Sequence, residues 1–112
     1  MEKTDPRTRR LVNDLRSSAK NKDYFRRLAE YIEKPSRKMP QVNVSKVGKL
    51  CKSGEEVAVP GKVLGFGEIS SKVNVYAMAF SKQAEGKIEA SGGKCMRLEE
   101  LLKKDKCARI II

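Results

Sequence analysis

The segment Lys72–Ser81, KVNVYAMAFS, restricts the fold more than any other stretch of the chain. It is rich in Val, Tyr and Phe, whose side chains suit a pleated, half-buried surface, and is expected to be the principal strand of the core. Shorter elements alternate around it. Upstream, Glu55–Val59 alternates weakly into a strand, Pro60-Gly61 reads as a turn, Val63-Leu64 as a short strand and Gly65-Phe66-Gly67 as a tight, flexible corner. Downstream, Ala84–Ala90 reads as a helix ended by Gly92-Gly93, and Cys95-Met96 as a short strand. Arg97–Lys104 reads as a helix with Leu98, Leu101 and Leu102 inward, and Arg109–Ile112 as a last strand. Such alternation favours an α/β core over an all-β one. At 112 residues the chain has material for one domain with one modest core.

The first half has a different period. Asp5 can cap a helix that starts at Pro6, and Leu11, Val12, Leu15 and Ala19 follow at helical spacing. Asn21-Lys22-Asp23 interrupts and offers a second cap, after which Phe25, Leu28, Ala29 and Ile32 share one face. Lys34 precedes Pro35 and should leave the helical region. The connector 34–40, KPSRKMP, has no apolar face to bury and should run extended on the surface. Asn43 or Ser45 can cap a short helix through Val47, Leu50 and Cys51 that stops near Gly54. The expected organisation is a basic, helical N-terminal segment spanning 1–54, ahead of a compact α/β core, 55–112.

Charge narrows the function. The chain carries 25 Lys+Arg against 14 Asp+Glu, a net charge of +11. A small protein so charged attracts polyanions, nucleic acid first and acidic membrane surfaces second. The imbalance is concentrated in residues 1–50, with 14 basic and 6 acidic residues, whereas 51–112 hold 11 and 8. Its arginine set is Arg7, Arg9, Arg10, Arg16, Arg26, Arg27 and Arg37, with Lys38 beside the last. The guanidinium fork binds phosphate bidentately and stacks on exposed bases. Lys3, Lys34, Lys46 and Lys49 extend the candidate surface. No apolar run approaches the roughly 20 residues needed to span a bilayer, and no signal-peptide core follows Met1.

Other chemistries find little purchase. The chain has no His, so the usual general base is missing. The pairs Glu55-Glu56 and Glu99-Glu100 are adjacent in sequence and would diverge on a strand or helix. Cys51, Cys95 and Cys107 are far apart and odd in number, which argues for reduced thiols over a disulfide framework or a zinc site. The stretch Val59–Gly67, VPGKVLGFG, lacks the Gly-Lys-Ser/Thr of a nucleotide loop and the third glycine of a dinucleotide loop. Two readings of it remain: a turn needing positive φ, or backbone at Gly61, Gly65 and Gly67 lying against RNA phosphates with Lys62 supplying charge. Phe25 lies on the apolar stripe and reads as core, while Tyr24 and Tyr31 flank it and stay open as base-stacking groups.

Seven motifs in one order point further. They are KTDPR (Lys3–Arg7), EKPSR (Glu33–Arg37), VNVSKV (Val42–Val47), VPGKVLGFG, VYAMAFS (Val75–Ser81), KIEASGGKCMRLEELL (Lys87–Leu102) and ARIII (Ala108–Ile112). Together they resemble the archaeal and eukaryotic large-subunit ribosomal proteins of the eighteen-e family, related to the bacterial large-subunit protein numbered fifteen. The chain has the length of the compact archaeal form. The resemblance implies an irregular α/β core of strand-strand-helix turns, preceded by a basic helical N-terminal extension. It also implies large-subunit ribosomal RNA and neighbouring large-subunit ribosomal proteins as partners, a scaffolding role in the cytoplasmic ribosome, no catalysis, no cofactor, no membrane and no small-molecule substrate. A general DNA- or RNA-binding, chromatin-like protein is the alternative that the same charge permits. A small phosphate-ligand enzyme and a protein-only adaptor are more distant rivals.

Overall fold

The computed structural model describes residues 6–17, 22–33, 40–104 and 106–112. Along them run helix α1 (Pro6–Ser17), helix α2 (Lys22–Ile32), strand β1 (Gln41–Asn43), helix α3 (Val44–Leu50) and strand β2 (Glu56–Leu64). Strand β3 (Asn74–Phe80), helix α4 (Lys82–Ala90), strand β4 (Lys94–Arg97), helix α5 (Leu98–Lys104) and strand β5 (Arg109–Ile110) complete the order. All strand pairs are parallel, in the order β1-β2-β3-β4, with β5 also on β2. The expected α/β class is what the chain adopts.

Parallel strands need both faces covered, and each face has its own helices. Val57 and Val59 of β2 and Val75 and Ala77 of β3 face one layer, with Val44 and Val47 of α3 and Ala84 and Ile88 of α4. The intervening Ala58, Tyr76 and Met78 face the other, with Leu11 and Leu15 of α1, Phe25, Leu28 and Ile32 of α2, and Leu98 and Leu101 of α5. Alternation along β2 and β3 therefore sorts the molecule into helix, sheet and helix layers. The N-terminal helices precede the sheet in sequence and cover one of its faces.

Two local expectations are corrected. Pro60-Gly61 is not a turn: β2 runs through it, and the pairs Val59↔Ala77 and Lys62↔Ala79 leave two β2 residues opposite Met78 alone. This is a β-bulge, a position that tolerates proline, which has no N–H to donate. On the opposite edge of β2, β5 pairs at Val57 and Ala58 and β1 at Lys62–Leu64, so the bulge separates two end-to-end partners. β1 itself is the second correction, because the spacing around Gln41–Asn43 predicts only a connector and a helix cap. Asn43 does hold the N-cap position of α3 but makes no side-chain cap bond.

Candidate nucleic-acid interface

The position of each cation follows from the face that its element buries. On α1, burial of Thr8, Leu11, Val12 and Leu15 leaves Arg9, Arg10 and Arg16 exposed. On α2, burial of Phe25, Leu28, Ala29 and Ile32 leaves Arg26 and Arg27 exposed. On α3, Lys46 and Lys49 lie opposite Val44 and Val47, and Lys62 projects from β2 into solvent. Arg9, Arg10, Arg26, Arg27, Lys49 and Lys62 have no hydrogen-bond or ion-pair partner for their charged groups among the described residues. Lys46 donates to the Ile112 carbonyl at 2.6 Å, and Arg16 pairs with Glu33 at the surface. Lys3, Lys34, Arg37 and Lys38 lie outside the described residues.

Arg7 stands apart from the set. Its Nε and Nη2 donate to Glu99 Oε2 and Oε1 at 2.9 and 3.0 Å, and its Nη1 donates to the Met78 carbonyl at 2.9 Å. The guanidinium thus ties α1 to α5 and to β3. Burial pushes the Glu99 carboxyl up, but the Arg7 hydrogen bonds, the Glu99 backbone N–H and the nearby charges of Arg7 and Arg97 outweigh it. They hold the group below the usual carboxylate range.

The glycine stretch is explained by the chain's own contacts. A Cβ on Gly61 would stand 1.9 Å from the Pro40 carbonyl oxygen, and one on Gly65 would stand 2.6 Å from Gln83 Cγ. Both glycines are buried, so neither presents open backbone. Gly67 has φ +87, and a Cβ there would meet Ser45 Cβ at 2.4 Å. Its carbonyl accepts from Lys87 Nζ at 2.5 Å. The loop does bring Phe66 out, 75% exposed between the two glycines. Of the aromatics left open, Tyr24 points inward: its hydroxyl donates to the Ala108 carbonyl at 2.5 Å and its ring meets Phe25 edge-on at 5.2 Å. Phe25 is fully buried, as expected.

Sequence reasoning missed Arg97 and Lys103. Both are exposed, and both line a cleft of about 460 Å³ with Arg10, where α1 meets α5. The near balance of charge in 51–112 concealed them. The signal was nonetheless present, because Leu98 and Leu101 inward on α5 put Lys103 on its outer side.

Fold and surface define a class: small basic α/β proteins whose exposed cations are spread over helices and strands. The family of ribosomal proteins that comprises 50S-L15, 50S-L18e and a 60S member matches residues 25–96, and the chain belongs to that family. It is 47% identical over 107 residues to the large ribosomal subunit protein eL18 of Archaeoglobus fulgidus, covering 94% of this chain and 92% of that one. The protein of the same name from Sulfurisphaera tokodaii is 45% identical, with 92% and 86% covered. That from Methanopyrus kandleri is 40% identical, with 91% and 86% covered.

Proposed function

We propose that this chain is a structural constituent of the large ribosomal subunit in the cytoplasm, and that it binds large-subunit ribosomal RNA through its exposed cations beside neighbouring subunit proteins. Arg9, Arg10, Arg26, Arg27, Lys49 and Lys62 are the principal contacts, with Lys3, Lys34, Arg37 and Lys38 in the same role. The observation that carries the reading is that the exposed charges of Arg9, Arg10, Arg26, Arg27, Lys49 and Lys62 lack acidic partners among the described residues in a family of ribosomal proteins. Arg7 acts as an internal tie, and Arg16 and Lys46 as secondary contacts. Gly61, Gly65 and Gly67 shape the loop and set Phe66 outward rather than receiving phosphate. The basic segment 1–54 supplies most of the charge and 55–112 most of the sheet. The role is scaffolding, with no chemical step.

Filter binding of a large-subunit ribosomal RNA transcript at several salt concentrations tests this. A contact with ~6–10 phosphates weakens by roughly 10³–10⁵ between about 50 and 200 mM salt. Glutamine at Arg26 and Arg27 should lower both affinity and salt slope. Genomic duplex DNA bound as well as the folded RNA would favour a chromatin-like role instead.

A further inference from the structure

The cleft between α1 and α5 concentrates cations from distant stretches of the chain. Arg10 comes from the second turn of α1, Arg97 from the end of β4 and Lys103 from the last turn of α5. None of the three side chains makes a hydrogen bond or an ion pair among the described residues. The cleft also contains two carboxylates, Asp14 and Glu99. Both oxygens of Glu99 accept from Arg7, and Arg97 acts on this carboxylate only through its nearby charge, so the acid is largely neutralised within the fold. Asp14 is the other acid among the described residues that line the cleft, against three cations. The Arg7–Glu99 fork also fixes α1 against α5, so the cleft is held in shape before any ligand arrives.

Resting on the ribosomal RNA reading above, we infer that this cleft is a binding site for RNA backbone phosphates, with Arg10, Arg97 and Lys103 as its ligating groups. Two arginines offer planar forks that match phosphate oxygens, and a lysine supplies a point charge beside them. A cleft of about 460 Å³ has room for a stretch of backbone. The site extends the RNA-facing surface from the N-terminal helices onto β4 and α5. It joins the exposed face of α1, where Arg9 lies beside Arg10 along the rim.

The test compares two double variants of the full chain on one large-subunit ribosomal RNA transcript, by salt-dependent filter binding. In R97Q/K103Q the log–log salt slope should fall by about 1.4–1.8, with roughly tenfold or greater loss of affinity, and the melting temperature should move little because neither side chain makes a hydrogen bond or ion pair among the described residues. The charge-preserving variant R97K/K103R should keep the wild-type slope. R26Q/R27Q separates the site from the wider reading. If R26Q/R27Q weakens binding and R97Q/K103Q does not, the cleft is overturned while the RNA reading stands. If wild-type binding is independent of salt, the RNA reading fails and the cleft with it. Displacement of the RNA by polyglutamate, released in turn by R97Q/K103Q, would identify an acidic peptide as occupant and overturn the assignment.

Discussion

Gly61 is fixed by one distance. With the Pro40 carbonyl oxygen 1.9 Å from where a Cβ would stand, any side chain must push β1 away from β2. Gly61→Ala should cost about 3 kcal/mol in urea unfolding. Gly86 lies inside α4 with open space around it, so Gly86→Ala should instead stabilise by about 0.5–1 kcal/mol. Arg7 makes a sharper case, because its role is structural although its type and place resemble those of its exposed neighbours. Its side chain and that of Glu99 are 32% and 31% exposed, so solvent weakens the pair without abolishing it. Arg7→Ala should destabilise by about 1–2 kcal/mol, and Arg7→Lys by nearly as much, since an ammonium cannot reproduce the fork. The pH dependence has a definite sign. In the folded state Glu99 titrates below its ordinary 4.5, where burial opposes but the Arg7 bonds prevail. Glu56 behaves likewise, with Lys106, Asn74 and Tyr76 outweighing burial. A carboxyl with a lowered folded-state value adds stability that is complete above the unfolded value and disappears as pH falls through the folded one. Stability should therefore drop below about pH 4.5, and the drop should be shallower in Glu99→Gln, as read by circular dichroism at successive pH values.

Among the elements, the helices are the most legible in the sequence. Leu11, Val12 and Leu15, and Phe25, Leu28, Ala29 and Ile32, follow from spacing alone and are all buried. The 3.6-residue period is a local property, and a sequence states it directly. Lys72–Ser81 is likewise readable, and Val75 to Ala77 of β3 are fully or almost fully buried. β1 is not, because three residues carry no period and its existence depends on partners twenty-one positions away in β2. The bulge is hidden for a related reason: Pro-Gly signals a reversal locally, and only pairing with β3 on one edge and with β1 and β5 on the other carries the strand on through it. The candidate surface divides along the same line. Which arginines point outward follows from the helical stripes, whereas the capture of Arg7 by Glu99, 92 positions away, and the approach of Arg97 and Lys103 to α1 require the tertiary fold. The cap of α4 can be tested at this scale. The Ser81 hydroxyl accepts from the Ala84 backbone N–H at 3.1 Å, and Ser81→Ala should cost about 1 kcal/mol in urea unfolding.

For the molecule as a whole, the governing quantity is a net charge of +11 on a body whose sheet is sealed by helices on both faces. The core consumes the apolar residues and very few cations, so most of the positive charge is left outward, where a polyanion can neutralise it. The internal ties of Arg7 and Tyr24 hold the N-terminal helices on the sheet, so the arginines they carry are presented by a rigid scaffold. Sedimentation of source-cell extract through a gradient, with detection of this chain in every fraction, tests membership of the large subunit most directly. At low salt the chain should travel with the large subunit, and at high salt it should move to the top of the gradient as its phosphate contacts are screened. A chain that stays at the top at low salt, or remains with large particles after RNase digestion, would contradict it.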